Sequence, residues 1–176
     1  MPVSLAPFVP SQPEVVNRML KMAQIGESDV VFDLGCGDGR ILFTAVNDFG
    51  VKKAVGYEMQ RYLYERVVRE IQKQKLEAQV SIFNDDLLKA NISEATVITL
   101  YLTSSGNNVL KPKILKEAQH GTRVVSHSFE FSGWTHSKKD KISWHTIYLY
   151  TIPEAFITKR ESKSFFSKIW ALRRNE

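Results

Sequence analysis

The chain has 176 residues, 43% of them hydrophobic, one cysteine and a formal net charge of +5. That length suits one domain with a sizeable core, while a single cysteine excludes an internal disulfide and no Cys/His spacing suggests a metal site. No apolar run reaches the ~18 residues a membrane helix needs.

The charge is unevenly placed. From Lys138 to Glu176 nine Lys/Arg stand against four Asp/Glu, and elsewhere the two signs balance, so the excess lies in the final 39 residues. The opening stretch, MPVSLAPFVPSQP, has neither the basic start nor the apolar core of a secretory signal, so a cytoplasmic protein is expected.

In chain order, Ser11 and Glu14 have the spacing of a capping box. The helix it would open runs to about Gln24, with Val15, Met19 and Met22 on one face. DVVFDL (29–34) is apolar and β-branched without alternation, as a buried parallel strand is. RILFTAVNDF (40–49) has helical period and stops at Gly50. KAVGYE (53–58) reads as a second strand, and residues 60–75 as a long helix with Glu65 four before Arg69. QVSIFN (79–84) and ATVITLYL (95–102) follow as strands. A helix is expected around Lys113–Ala118 with Pro112 near its first turn. TRVVSHSFEF (122–131) is a fifth strand, and HTIYLYTI (145–152) a late one paired with residues around 141–144. Alternating strands and helices predict an α/β fold with a mostly parallel sheet covered on both faces.

In such a sheet the ligand crevice lies at the carboxyl ends of the strands. LGCGDG follows the first strand there, and Gly35, Gly37 and Gly39 permit a tight turn and close approach to a ligand. No G-K-[ST] follows, so this is not a phosphate-gripping loop. Asp33 and Asp38 flank it without a lysine, which disfavours a pyrophosphate and favours an ammonium or sulfonium. Glu58 ends the second strand, placed to accept from two ribose hydroxyls. Asp85 and Asp86 end the third, placed to accept from an adenine amino group. Cationic end, ribose and adenine together describe S-adenosylmethionine.

D-L-G-C-G-D-G followed by V-G-Y-E resembles the first two motifs of the class I, seven-β-strand S-adenosylmethionine-dependent methyltransferases. A narrower resemblance, carried by FVPSQPEVVNRML, ISEATVITLYL, LKPKILKEAQHGTRVVSHSFEF and HTIYLY, is to the archaeal broad-specificity protein lysine methyltransferase and its mitochondrial relatives. It implies a Rossmann-like seven-stranded sheet, mostly parallel with an antiparallel C-terminal strand. It also implies that Phe8–Ser11 folds over the cofactor and that Thr99–Leu102 lines the methyl-transfer channel. The cofactor-binding set it implies is Pro10, Ser11, Asp33, Gly35, Cys36, Gly37, Asp38, Gly39, Glu58, Met59, Asp85, Asp86 and Thr99. Two positions depart from the pattern: Ser128 stands where an acid is expected, and Tyr57 where a small residue is usual.

For the acceptor, no [DN]-P-P-[YF] follows the fourth strand, which weighs against exocyclic base amines. Cys36 lies inside the loop and reads as a small buried hydrophobe. Tyr101 is the first candidate for the catalytic position, as wall of an apolar lysine channel or as orienter of the amine. Tyr57 is expected in the core on the pleat face opposite Glu58, and His127 as hydrogen-bonded scaffolding. His120, His136 and His145 carry no expected role. The expected organisation is a covering segment (1–28), a methyltransferase domain (29–157) and a basic, aromatic tail (158–176). A monomer methylating protein lysines is the leading reading. An RNA or small-molecule methyltransferase is the alternative within that class, and a non-catalytic S-adenosylmethionine-binding module the alternative outside it.

Overall fold

A computed structural model of the chain describes residues 5–156, so the basic tail lies outside the described residues. Seven strands form one sheet: β1 (Val30–Leu34), β2 (Lys53–Tyr57), β3 (Val80–Phe83), β4 (Val97–Leu100), β5 (Arg123–His127), β6 (Lys138–Ile142) and β7 (His145–Thr151). Their order is β3-β2-β1-β4-β5-β7-β6. The first five run parallel, and β7 is antiparallel to both β5 and β6. The expected class and strand number both hold.

Among the described residues four α-helices flank the sheet: α1 (Pro13–Met22), α2 (Arg40–Phe49), α3 (Arg61–Gln74) and α4 (Ser104–Glu117). The sheet separates two apolar layers. One joins α1, α2 and α3 to side chains such as Val31, Val125, Ile147 and Leu149. The other joins α4 to Phe32, Val124, Tyr148 and Tyr150. Neighbours in β1, β5 and β7 thus alternate between layers, as the pleat requires. Among the described residues no helix is long and apolar enough to cross a membrane.

Three local expectations fail. The capping box does not form: Gln12 occupies the N-cap of α1, no side chain caps it, and the Ser11 hydroxyl bonds His127 instead. Helix α4 starts nine residues before the expected Lys113 and carries Pro112 inside it. Thr103 caps it, its hydroxyl accepting from the Gly106 N–H. The small polar run after β4, given no element above, is thus a helix start. Glu65 pairs with Arg61, its neighbour on the preceding turn, rather than with Arg69.

Candidate active site

A cavity of about 190 Å³ opens at the carboxyl ends of β1, β2, β3 and β4. Strand β1 delivers Asp33 to it, and the chain then reverses through Gly35, Gly37 and Gly39 at φ 89°, 56° and 77°. These left-handed values suit residues without a Cβ. A Cβ at Gly37 would stand 2.5 Å from the Phe8 ring, so the loop also needs the space. The amides of Gly35 and Cys36 donate to the Tyr57 carbonyl at 2.9 and 3.0 Å, fastening the loop to the end of β2.

Glu58 follows β2 directly. Its buried carboxylate accepts from the Gly37 N–H at 2.9 Å and from the Gln60 N–H at 2.7 Å, which fixes its orientation toward the cavity. Asp33 is also buried and accepts from the Thr99 hydroxyl at 2.8 Å. Burial pushes its carboxyl up to about 7, with the Glu58 and Asp38 charges adding to the effect and the Thr99 bond opposing it.

Asp38 is different from the sequence expectation. Arg40 closes on it with Nε at 2.9 Å and a terminal nitrogen at 2.6 Å, and its other terminal nitrogen reaches the Ser11 carbonyl at 2.5 Å. That pairing holds the Asp38 carboxyl below the usual range. Negative charge without a cationic partner therefore rests on Asp33 and Glu58, not on both flanking aspartates. Arg40 itself was no candidate from sequence, since its value lies in tying the glycine loop to the segment before α1.

At the β3 end, Asp85 accepts from Lys89 at 2.7 Å and Asp86 accepts from the Leu88 N–H at 2.9 Å. The second carboxylate oxygen of each has no hydrogen-bond partner among the described residues. Both aspartates line the cavity, as do Pro10, Ser11, Cys36 and Met59. Burial pushes the Cys36 thiol well up, so it is a neutral hydrophobe there. Two members of the expected set stand back from the cavity. Gly39 begins α2, packed against Phe43 and Val67. Thr99 is fully buried and reaches the site only through Asp33.

Tyr57 meets its expectation in part: it packs against the apolar layer on the α4 side of the sheet, yet it also faces the site. It lines the cavity, half-buried and stacked on Phe83 at 4.9 Å between ring centroids. The Glu58 N–H still donates to the Phe83 carbonyl at 3.0 Å, and both side chains reach the cavity because it opens at the end of the sheet. Leu5 to Val9 also line the cavity, covering more of it than the expected Phe8–Ser11. The α4 start holds this strap: the Thr103 hydroxyl donates to the Leu5 carbonyl at 3.1 Å, and Gly106 leaves room for Leu5 beside it.

Tyr101 lines the far side, beyond β4. It stacks on His127 at 3.7 Å between centroids. His127 is fully buried, with Nδ1 2.9 Å from the Ser11 hydroxyl and Nε2 2.8 Å from His145 Nδ1. Burial, and then the neighbouring imidazole, lower its value to about 4. The site therefore joins a buried, uncompensated anionic end to an aromatic wall, with the His127 imidazole packed behind Tyr101. Those features suit a ligand with a cationic centre, hydroxyls and an aromatic amine, so the residues present fit S-adenosylmethionine.

Residues 33–138 match the model of the ANTKMT methyltransferase domain. The chain is 45% identical over 152 residues to a protein-lysine N-methyltransferase of Saccharolobus islandicus (strain REY15A), covering 84% of this chain and 94% of that one. It is 29% identical to the Mus musculus adenine nucleotide translocase lysine N-methyltransferase over 73% of this chain, and spans about half, 55%, of that protein. Among solved structures it matches an RNA methyltransferase from Salinibacter ruber in complex with S-adenosyl-L-homocysteine. The TM-score is 0.81 with 38% identity, covering 86% of this chain and 97% of that one.

Proposed function

The chain belongs to the family of the ANTKMT methyltransferase domain, and on that premise we propose that it transfers methyl groups from S-adenosylmethionine to lysine side-chain amines of proteins. The observation that carries this reading is the 45% identity spanning nearly all of an archaeal protein-lysine N-methyltransferase. When bound, S-adenosylmethionine supplies a methyl group already activated on a sulfonium. The chain's residues have to hold it, align the amine and exclude water.

In this reading Asp33 meets the cationic methionine end, because it is the buried carboxylate at the loop without a cationic partner. Glu58, held by two backbone N–H groups, accepts from the ribose hydroxyls. Asp85 or Asp86 accepts from the adenine amine. Pro10, Ser11 and Met59 close the walls, and Gly35, Cys36 and Gly37 supply backbone. Tyr101 walls the acceptor channel, where an aromatic face suits an ammonium or methylammonium. The strap from Leu5 to Ser11 covers the site, so the 1–28 segment acts with the domain that follows rather than apart from it. A cytoplasmic monomer completes the proposal; a free, buried cysteine is at home in a reducing compartment.

The test is mass spectrometry after incubating the protein with S-adenosylmethionine and a cell-protein extract, and separately with total RNA. Methyl mass on lysine, absent with Gly37→Val, is the expected result. Methyl mass on RNA alone would support the second reading, which is favoured by the 38% identity to a structure described as an RNA methyltransferase.

A further inference from the structure

Lysine methylation has a proton to dispose of. The acceptor's reference pKa is ~10.4, so at neutral pH the amine arrives as an ammonium with no lone pair to offer. An apolar channel lowers that value by desolvation, but the proton still needs a way out of a covered site. The carboxylates nearest the glycine loop are committed elsewhere: Asp33 to Thr99, Glu58 to two backbone amides, Asp38 to Arg40, while Asp85 and Asp86 stand at the β3 end assigned above to the adenine.

One continuous hydrogen-bonded chain does lead from the cavity to the surface. Ser11 lines the cavity, its hydroxyl is 2.9 Å from His127 Nδ1, and His127 Nε2 is 2.8 Å from His145 Nδ1. His127 is fully buried, whereas His145 is half-exposed at the start of β7, beside the wholly exposed Trp144. Three separate pieces of chain thus converge end to end. A buried neutral imidazole needs both nitrogens bonded, and here the second bond of His127 runs on to a ring that reaches solvent.

We infer that Ser11, His127 and His145 form a proton relay that carries the lysine proton from the cavity to solvent. The inference rests on the lysine reading above. The ammonium gives its proton to the Ser11 oxygen as the Ser11 hydroxyl proton moves to His127 Nδ1. The Nε2 proton of His127 moves to His145 Nδ1, and His145 releases its own Nε2 proton to water. One proton leaves the amine and one reaches solvent, with no change in redox state. Ser11 is the member that touches substrate; His127 and His145 are positioning residues that act through it.

The groups facing His127 are Ser11 before α1, Tyr101 beyond β4 and His145 of β7. No carboxylate is hydrogen-bonded to His127 or His145 among the described residues. Its value near 4 keeps His127 neutral at working pH, as a relay member that never stores the proton must be.

The experiment uses the full chain, labelled S-adenosylmethionine and a cell-protein extract, read as methyl incorporation on lysine at pH 7 and pH 9.5. His145→Gln keeps an oxygen for His127 Nε2–H but cannot pass a proton. It is expected to slow turnover at least about tenfold at pH 7 and to recover most of the loss at pH 9.5, where the amine deprotonates unaided. Cofactor affinity, measured by calorimetry, should be unchanged. Ser11→Ala should show the same pH-dependent loss. ¹⁵N NMR of the histidine-labelled protein should find neutral His127 with its proton on Nε2 at pH 7. Equal wild-type and His145→Gln rates at pH 7, an equal loss at both pH values, or the His127 proton on Nδ1 would each overturn the relay. Absence of lysine methylation by the wild-type chain would instead overturn the lysine reading, and the relay with it.

Discussion

Asp33 carries the sharpest consequence at the scale of one residue. Its carboxyl, raised to about 7, is neutral below that pH and ionised above it. A cationic ligand binds the ionised form, so S-adenosylmethionine affinity should fall as pH drops through 7, approaching about tenfold per unit. Calorimetry at pH 6 and pH 8 measures this, and Asp33→Asn should bind weakly at both. The same raised value means the ligand-free fold gains stability with the proton on and loses it as pH rises through 7. Asp33→Asn should therefore stabilise the ligand-free protein at pH 8 by on the order of 1–3 kcal/mol, seen as a higher unfolding temperature. Gly37 is constrained twice, by φ 56° and by the Phe8 ring. Gly37→Val should cost at least about tenfold in cofactor affinity, from a left-handed penalty of ~1–3 kcal/mol alone. The glycines and acids of this loop were legible in sequence because their chemistry is local. Arg40 was not, because its partners are the loop's own Asp38 and a carbonyl 29 residues earlier.

Helix α4 shows how an element can serve the site without entering it. Its first turn holds Thr103, which caps the helix and grips the Leu5 carbonyl with the same hydroxyl. Thr103→Ala should cost ~1 kcal/mol of stability through the lost cap, seen in thermal unfolding, and should loosen the strap as well. Gly106 separates the two effects. A Cβ there would come 3.1 Å from the Leu5 carbonyl oxygen. Gly106→Ala leaves the Thr103 cap in place, and should weaken cofactor binding several-fold while restoring propensity worth up to ~1 kcal/mol. Pattern reading missed this turn because a Ser-Ser-Gly-Asn-Asn run looks like a loop, and only the cap and the docked strap make it helical.

Over the whole molecule, the sheet has two ends with different duties. At the amino ends of β1, β4 and β5, Arg123 pairs with Asp29 and donates to the Ala23 carbonyl at 2.6 Å, while Thr96 donates to Asp29 at 2.6 Å. This lies opposite the cavity. Arg123→Met leaves a buried Asp29 without its cation and should cost about 3 kcal/mol. Denaturant unfolding would register that loss, while cofactor affinity of the folded fraction should stay within about twofold. A comparable loss of affinity would contradict the division of the sheet into a fastening end and a binding end.

Local chemistry in the sequence was enough for the order of strands and helices, the glycine loop and the three acidic strand ends, and the methyltransferase class came from the family resemblance those motifs carry. Each depends on short spacings, on hydrophobic period, or on charges that stand next to one another along the chain. What only the tertiary structure decided was which of those groups are already satisfied. Asp38 is neutralised by Arg40, Thr99 acts through Asp33, and Tyr57 both packs on the core and lines the cavity. The Ser11–His127–His145 chain spans contacts 116 and 18 residues apart in sequence. No periodicity encodes such a meeting: it exists because β5 and β7 are neighbours in the sheet and the strap before α1 folds across their ends.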